Sequence, residues 1–188
     1  MTPQERDLRA LVVYESGFGN TEIVARAVAD GLSHEGLRVS FENVRDAGPP
    51  DRSTFDLLVV GAPTHGFSLS RPSTRQDAVR QGAPESSAET GVREWIAAMA
   101  ATTDRTPRLA AAFDTRVTKV RRVPMTASRS ASHLLTKLEF VLLSPPTGFL
   151  VSDVPGPLEA HEPARAEAWG RSLAVAARHR VRDVSSAG

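Results

Sequence analysis

Glu15-Ser16-Gly17-Phe18-Gly19-Asn20-Thr21 follows a short apolar run and leads directly into an amphipathic one. Gly17 and Gly19 permit a tight turn that exposes successive N–H groups, and a helix beginning at its end adds partial positive charge, so a phosphate is the natural occupant. Ser16, Asn20 and Thr21 bring further side-chain donors. The plainer reading of the same residues is an ordinary βα turn in which Asn20 or Thr21 caps the helix. Two other phosphate loops are excluded: no Gly-Lys-Ser/Thr follows, and the third glycine of Gly-x-Gly-x-x-Gly would fall at position 22, which is Glu22.

Two further stretches end apolar runs with polar residues. Asp56-Leu57-Leu58-Val59-Val60 is followed by Gly61-Ala62-Pro63-Thr64-His65-Gly66-Phe67, and Ala112-Phe113 by Asp114-Thr115-Arg116. The loop at 16–21 resembles the FMN-phosphate loop of the flavodoxin family, whose usual pattern is Thr/Ser-x-Thr-Gly-x-Thr. The 56–67 segment is similar to that family's third strand with its Gly-x-Pro-Thr and aromatic. The resemblance implies FMN as cofactor, its phosphate on Ser16, Gly17, Phe18, Gly19, Asn20 and Thr21, and its ring beside Pro63, Thr64, His65, Gly66 and Phe67. It also implies a third flavin loop beginning at Asp114, Thr115 and Arg116. Phe18 stands where a hydroxyl is usual, which looks more like the flavodoxin-like quinone reductases. Carrier flavodoxins stack a tyrosine from the third loop, whereas the chain's single tyrosine is Tyr14 in the first apolar run, so Arg116 or the backbone around it takes that place.

Other chemistries find little support. The absence of cysteine excludes disulfides, thiolate catalysis and cysteine-ligated metal. His133, His161 and His179 are scattered without ligand spacing, so no metal is expected. Ser16 and Ser70 lack the Gly-x-Ser-x-Gly elbow of a hydrolase. His65 on its own reads as a loop histidine touching the ring rather than a proton donor, and Asp114 with Arg116 reads equally as a solvated strand-end pair. Trp95 and Trp169 sit among alanines and leucines as core residues.

The elements that must hold these loops follow an alternating pattern. Apolar or β-branched runs at 10–14, 38–44, 56–60, 109–113 and 138–143 predict strands, the first and third buried on both faces. The spacing predicts a helix over 21–33 with Ile23, Val24, Ala27, Val28 and Leu32 on one face and Gly36 as its stop, and further helices at 92–101, 127–137 and 159–181. Residues 68–91 are polar, contain Pro72 and Pro84, and are too long for an ordinary βα connection. They are read as an inserted loop, either a mobile cover beside the flavin or a disordered surface insertion without contact to the site.

At 188 residues with 40% apolar content, the chain encloses one core and reads as a single α/β domain, 1–188. The flavodoxin resemblance implies a three-layer sandwich with a five-stranded parallel sheet in order 2-1-3-4-5. A net charge of +1 gives no reason to expect nucleic acid. A charged N-terminus and the lack of any run near ~20 apolar residues point away from a membrane and toward the cytoplasm. The expected function is FMN-dependent: electron transfer, or an NAD(P)H oxidoreductase. The donor is NAD(P)H or a redox partner protein, with Arg71, Arg75, Arg80, Arg116, Lys119, Arg121 and Arg122 forming a basic rim that favours the nicotinamide dinucleotide. The alternative is a flavodoxin-like binding module that has lost FMN. Nothing in the sequence bears on the oligomeric state.

Overall fold

β1 (Arg9–Tyr14), β3 (Leu57–Pro63) and most of β4 (Leu109–Val117) are apolar without alternation because both of their faces are covered. The structure, a computed structural model, describes residues 7–48, 51–100, 108–120 and 124–186. All strand pairs are parallel. β2 (Arg38–Asn43) lies outside β1, β3 and β4 continue on the other side, and β5 (Val141–Leu142) follows, so the order is β2-β1-β3-β4-β5. The expected fold class and strand order are therefore observed.

α1 (Asn20–His34) and α5 (Glu162–Ser186) cover one face, where Val12, Val24, Val28, Leu57, Val59, Phe113 and Leu173 form one core. α3 (Val92–Met99) and α4 (Ala127–Lys137) cover the other, around Val13, Leu58, Val60, Ile96, Met99 and Leu135. Adjacent residues of β1, Val12 and Val13, thus serve opposite cores, as the period of two requires. α1 and α5 pack closely at glycines: a Cβ on Gly31 would come 2.1 Å from the Glu167 carbonyl oxygen, and one on Gly170 2.4 Å from that of Val28. Trp95 and Trp169 are core residues, Trp95 buried and Trp169 edge-on to Phe113 and Phe149.

α1 stops where expected. Gly36 takes a left-handed φ of 79°, and Leu37 N–H returns to the Leu32 carbonyl at 3.2 Å. Ile23, expected on its buried face, is 49% exposed, and Thr21, Ala25 and Ala29 are buried instead. The apolar stripe lies one step round the helix because small residues permit the close approach of the sheet and α5.

The fifth strand departs most from expectation. Instead of running over 138–143 it is split into β5 (Val141–Leu142), beside the start of β4, and β6 (Thr147–Val151), beside its end. Pro145 and Pro146 lie between them, and proline lacks the N–H a ladder needs. Leu138 ends α4, Glu139 follows at φ 64°, and Phe140 N–H bonds the Leu135 carbonyl at 3.1 Å. The apolar character of Leu138 and Phe140 therefore comes from a helix end folded onto the core.

The final helix begins at Glu162 rather than 159, and the end of the helix expected over 92–101 falls outside the described residues at 101. Residues 68–91 are not a plain loop. They carry α2 (Pro72–Arg80) and a short 3₁₀ turn at Glu85–Ala88. No helix among the described residues is long and apolar enough to cross a membrane.

Candidate functional site

The first loop leaves β1 with Glu15 N–H bonded to the Gly61 carbonyl at 2.9 Å, which ties it to β3. Gly19, at φ 87°, is the residue before α1 and has no side chain with which to cap it. The Ser16 hydroxyl closes the turn by accepting from Gly19 N–H at 3.1 Å and Glu22 N–H at 3.4 Å. The N–H groups of Gly17, Phe18, Asn20 and Thr21 have no acceptor among the described residues. The capped-turn reading of these residues thus does not hold. Asn20 and Thr21 spend their side chains elsewhere, Asn20 Nδ2 donating to the Pro155 carbonyl at 3.2 Å and the Thr21 hydroxyl meeting that of Thr115 at 2.7 Å. The Ser16 hydroxyl acts only as an acceptor in these bonds and keeps its hydrogen for a ligand, whereas Asn20 and Thr21 are engaged by Pro155 and Thr115.

The second loop leaves β3 beside the first. Thr64 N–H donates to the Thr115 carbonyl at 2.9 Å, and its hydroxyl accepts from Ala127 N–H at 3.0 Å, fastening the start of α4. His65 and Ser68 exchange backbone hydrogen bonds of 2.9 and 3.0 Å across Gly66 and Phe67, whose φ values of 51° and 65° make the turn of the primed type. A left-handed phenylalanine that is 53% exposed is uncommon, and such strain concentrates at functional sites. Burial, reinforced by the Arg75 charge, holds the His65 pKa below its ordinary value, so the ring is neutral at neutral pH.

The third segment is strand rather than loop, because β4 runs on through Val117 with β6 beside it. Thr115 and Arg116 line the cleft. Asp114 is buried beneath, accepting from Ser128 N–H at 3.1 Å and from the Ser128 hydroxyl.

Together these segments enclose an open cavity of about 300 Å³ at the C-terminal edge of the sheet, at the lower end of the ~300–1,000 Å³ of cofactor pockets. Ser16, Gly17, Phe18, Asn20, Thr21, Pro63, Thr64, His65, Gly66, Thr115 and Arg116 line it. Gly19, Phe67 and Asp114 do not: Gly19 shapes the turn, Phe67 points outward at the tip of its turn, and Asp114 supports Arg116 from below. Among the described residues no group of acidic or histidine side chains is arranged to hold a metal.

Residues 12–90, from β1 to the 3₁₀ turn, match the family model described as flavodoxin. A flavodoxin from the domain Archaea superposes with a TM-score of 0.64 at 16% identity, covering 92% of this chain and 100% of its own. The oxidised Flavodoxin 2 of Bacillus cereus superposes with a TM-score of 0.65 at 15% identity over 89% of this chain and 98% of its own. The chain has a flavodoxin-like fold. Among curated relatives, the putative diflavin flavoprotein A 5 of Nostoc sp. is 33% identical over 73 residues, 37% of this chain and 13% of the relative's own length.

The flavodoxin-like cleft has a wall that the sequence did not reveal. Thr74, Asp77, Ala78 and Gln81 of α2 line it, as do Val117, Val151 and Val154. The signal for α2 was Pro72 at its first turn with Thr74 two residues on, whose hydroxyl accepts from Arg71 N–H at 2.9 Å. α2 is anchored by Arg75, 3% exposed, which reaches Ser70 Oγ at 3.0 Å and Glu94 Oε2 at 3.2 Å. Glu15, just before the phosphate loop, is buried beside it and accepts from Val92 N–H at 3.0 Å. Burial raises the Glu15 pKa above the ordinary value, against hydrogen bonds from Ser70 and Val92 that lower it. The 68–91 segment is thus a helical wall of the cleft where a loop was expected.

The expected basic rim is largely dismantled by the same observations. Arg75 is buried, Arg80 pairs with Asp77 at the surface, and Arg116 sits within the cleft wall beside Asp114 rather than on an outer rim. Arg71 and Lys119 remain exposed, and Arg121 and Arg122 lie outside the described residues.

Proposed function

We propose that the cleft binds FMN and that the protein is a redox protein working through it. The observation that carries this reading is the start of α1, where the N–H groups of Gly17, Phe18, Asn20 and Thr21 have no acceptor among the described residues and their residues line the cavity together with Ser16. Unpaired donors at a helix N-terminus favour an anion, and a phosphate dianion satisfies several at once. Pro63–Gly66 and Thr115–Val117 offer a slot for a planar ring, and FMN there would supply one- and two-electron chemistry. The chain's own part is to bind the phosphate, hold the ring between β3 and β4, and shield one side with α2.

The smaller rim weakens the electrostatic case for NAD(P)H over a redox partner protein, since of its members among the described residues only Arg71, Lys119 and the Asp77-paired Arg80 are exposed. The purified protein is expected to be yellow. Titration of the stripped protein should show riboflavin binding at least ~100-fold more weakly than FMN, because the charge-assisted bonds to phosphate are lost. Equal affinities would place the grip on the ring and overturn the role given to the phosphate loop, and no binding of either would refute this reading in favour of a binding module. Anaerobic mixing of the loaded protein with NADH or NADPH identifies the donor: bleaching of the flavin band supports a reductase, and reduction only by a separate reductase protein supports a carrier.

A further inference from the structure

We propose that Arg116 accepts the negative charge that FMN acquires on two-electron reduction, so that the cleft binds the reduced cofactor more tightly than the same cleft without this cation. The proposal rests on the FMN reading above and assigns a role that neither fold nor loop pattern implies.

Arg116 is the one arginine or lysine among the described residues lining the cavity. The acidic side chain that shares the lining, Asp77, is already paired with Arg80. The position of Arg116 is built rather than incidental. Its guanidinium passes over the bare Cα of Gly148 in β6, where an added Cβ would come 1.6 Å from Nη2. Asp114 stands behind it, Oδ1 lying 3.1 Å from Arg116 Nε. Neither of these two buried atoms completes a hydrogen bond, so the contact fixes the head group by charge without using up its N–H directions.

Asp114 does not cancel the cation outright. Its other oxygen takes the Ser128 N–H at 3.1 Å and the Ser128 hydroxyl, and it faces the first turn of α4, whose dipole favours an anion. Part of the aspartate charge is thus balanced by α4, and the guanidinium keeps positive potential toward the cleft. Partial exclusion of water strengthens that field: the Arg116 side chain is only 14% exposed.

The electron count sets the charge to be met. Oxidised FMN takes up two electrons, supplied in the test below by dithionite that is oxidised to sulfite, and one proton from water, and its ring then carries one negative charge more than before. A fixed cation stabilises that form selectively, whereas a residue that only shapes the cleft affects both forms alike.

The experiment measures anaerobic dissociation constants of oxidised and dithionite-reduced FMN at pH 8 for the wild type, R116Q and R116K. R116Q is expected to weaken reduced FMN about ten-fold more than oxidised FMN, which lowers the two-electron potential by about 30 mV. R116K, which keeps the charge, should hold the ratio within about three-fold of the wild type. An R116Q effect equal in both states, absent, or reversed would overturn the proposal. So would an R116K ratio as low as that of R116Q. Failure of the wild type to bind FMN in either state would instead refute the FMN reading itself.

Discussion

Gly19 and His65 show how single residues act in this cleft through different physics. A Cβ on Gly19 would meet nothing within 4 Å, so the cost of replacing it comes from its left-handed φ of 87° and not from crowding. A β-branched residue there costs about 1–2 kcal/mol or turns the peptide away. G19V is expected to raise the FMN dissociation constant about ten-fold or more while lowering Tm by only a few degrees, read by fluorescence titration and thermal melting. His65 has its folded-state pKa below the ordinary value of 6.5, through burial and then Arg75. The folded protein therefore binds fewer protons than the unfolded chain once the pH drops to that range. Stability is unaffected by His65 well above pH 6.5, falls as the pH descends from about 6.5 toward the folded pKa, and levels off below it. Denaturant unfolding at a series of pH values should show this slope, and H65Q should flatten it; an unchanged slope in H65Q would assign it to other groups.

At the scale of elements, α2 owes its place to one buried side chain. Its sequence is polar, and Arg75 and Ala78 are its buried residues, so apolar packing alone holds it weakly. The Arg75 contacts to Ser70, Glu94 and the Ala88 carbonyl replace that packing, with Glu15 alongside. R75M would leave buried Glu15 and half-exposed Glu94 without their cation, a loss of roughly 1–2 kcal/mol once solvent access to Glu94 is allowed for. The expected result is faster amide exchange across residues 68–91, with the central strands still protected and FMN bound more weakly as the wall loosens. Uniform loss of protection over all elements would show that Arg75 supports the whole fold instead.

For the whole molecule, the near-neutral charge of +1 leaves specific groups rather than net potential to select a ligand. The two cores meet at the sheet, and the cleft lies where β1 and β3 diverge to connections on opposite faces, the usual ligand position in open α/β sheets. A ligand gripped by loops from β1, β3 and β4 couples them all to folding. FMN in 100-fold excess over its dissociation constant should then stabilise the protein by about 2.7 kcal/mol, a Tm rise of several degrees, whereas riboflavin at the same concentration should give far less. Equal rises with both ligands would place the main grip on the ring and not on the phosphate loop.

The sequence by itself determined the alternation of elements, the ends of α1 and the positions of the first two loops. These features depend on local physics: apolar runs long enough to be buried on both faces, the left-handed freedom of Gly19 and Gly36, and a helix start placed directly after a strand. The tertiary structure decided what the side chains do. Asn20 and Thr21 look like phosphate donors along the chain, but Pro155 and Thr115 claim them across 135 and 94 residues. Arg75 looks like a surface charge in a polar stretch, yet Glu15 and Ser70 bring it inside. The edge strand was misplaced because Leu138 and Phe140 are apolar for the sake of a helix end, while Thr147–Val151 becomes a strand by pairing with the extended β4. In each case the deciding partner is distant in sequence, and a charge or hydroxyl takes its meaning from what folding places beside it.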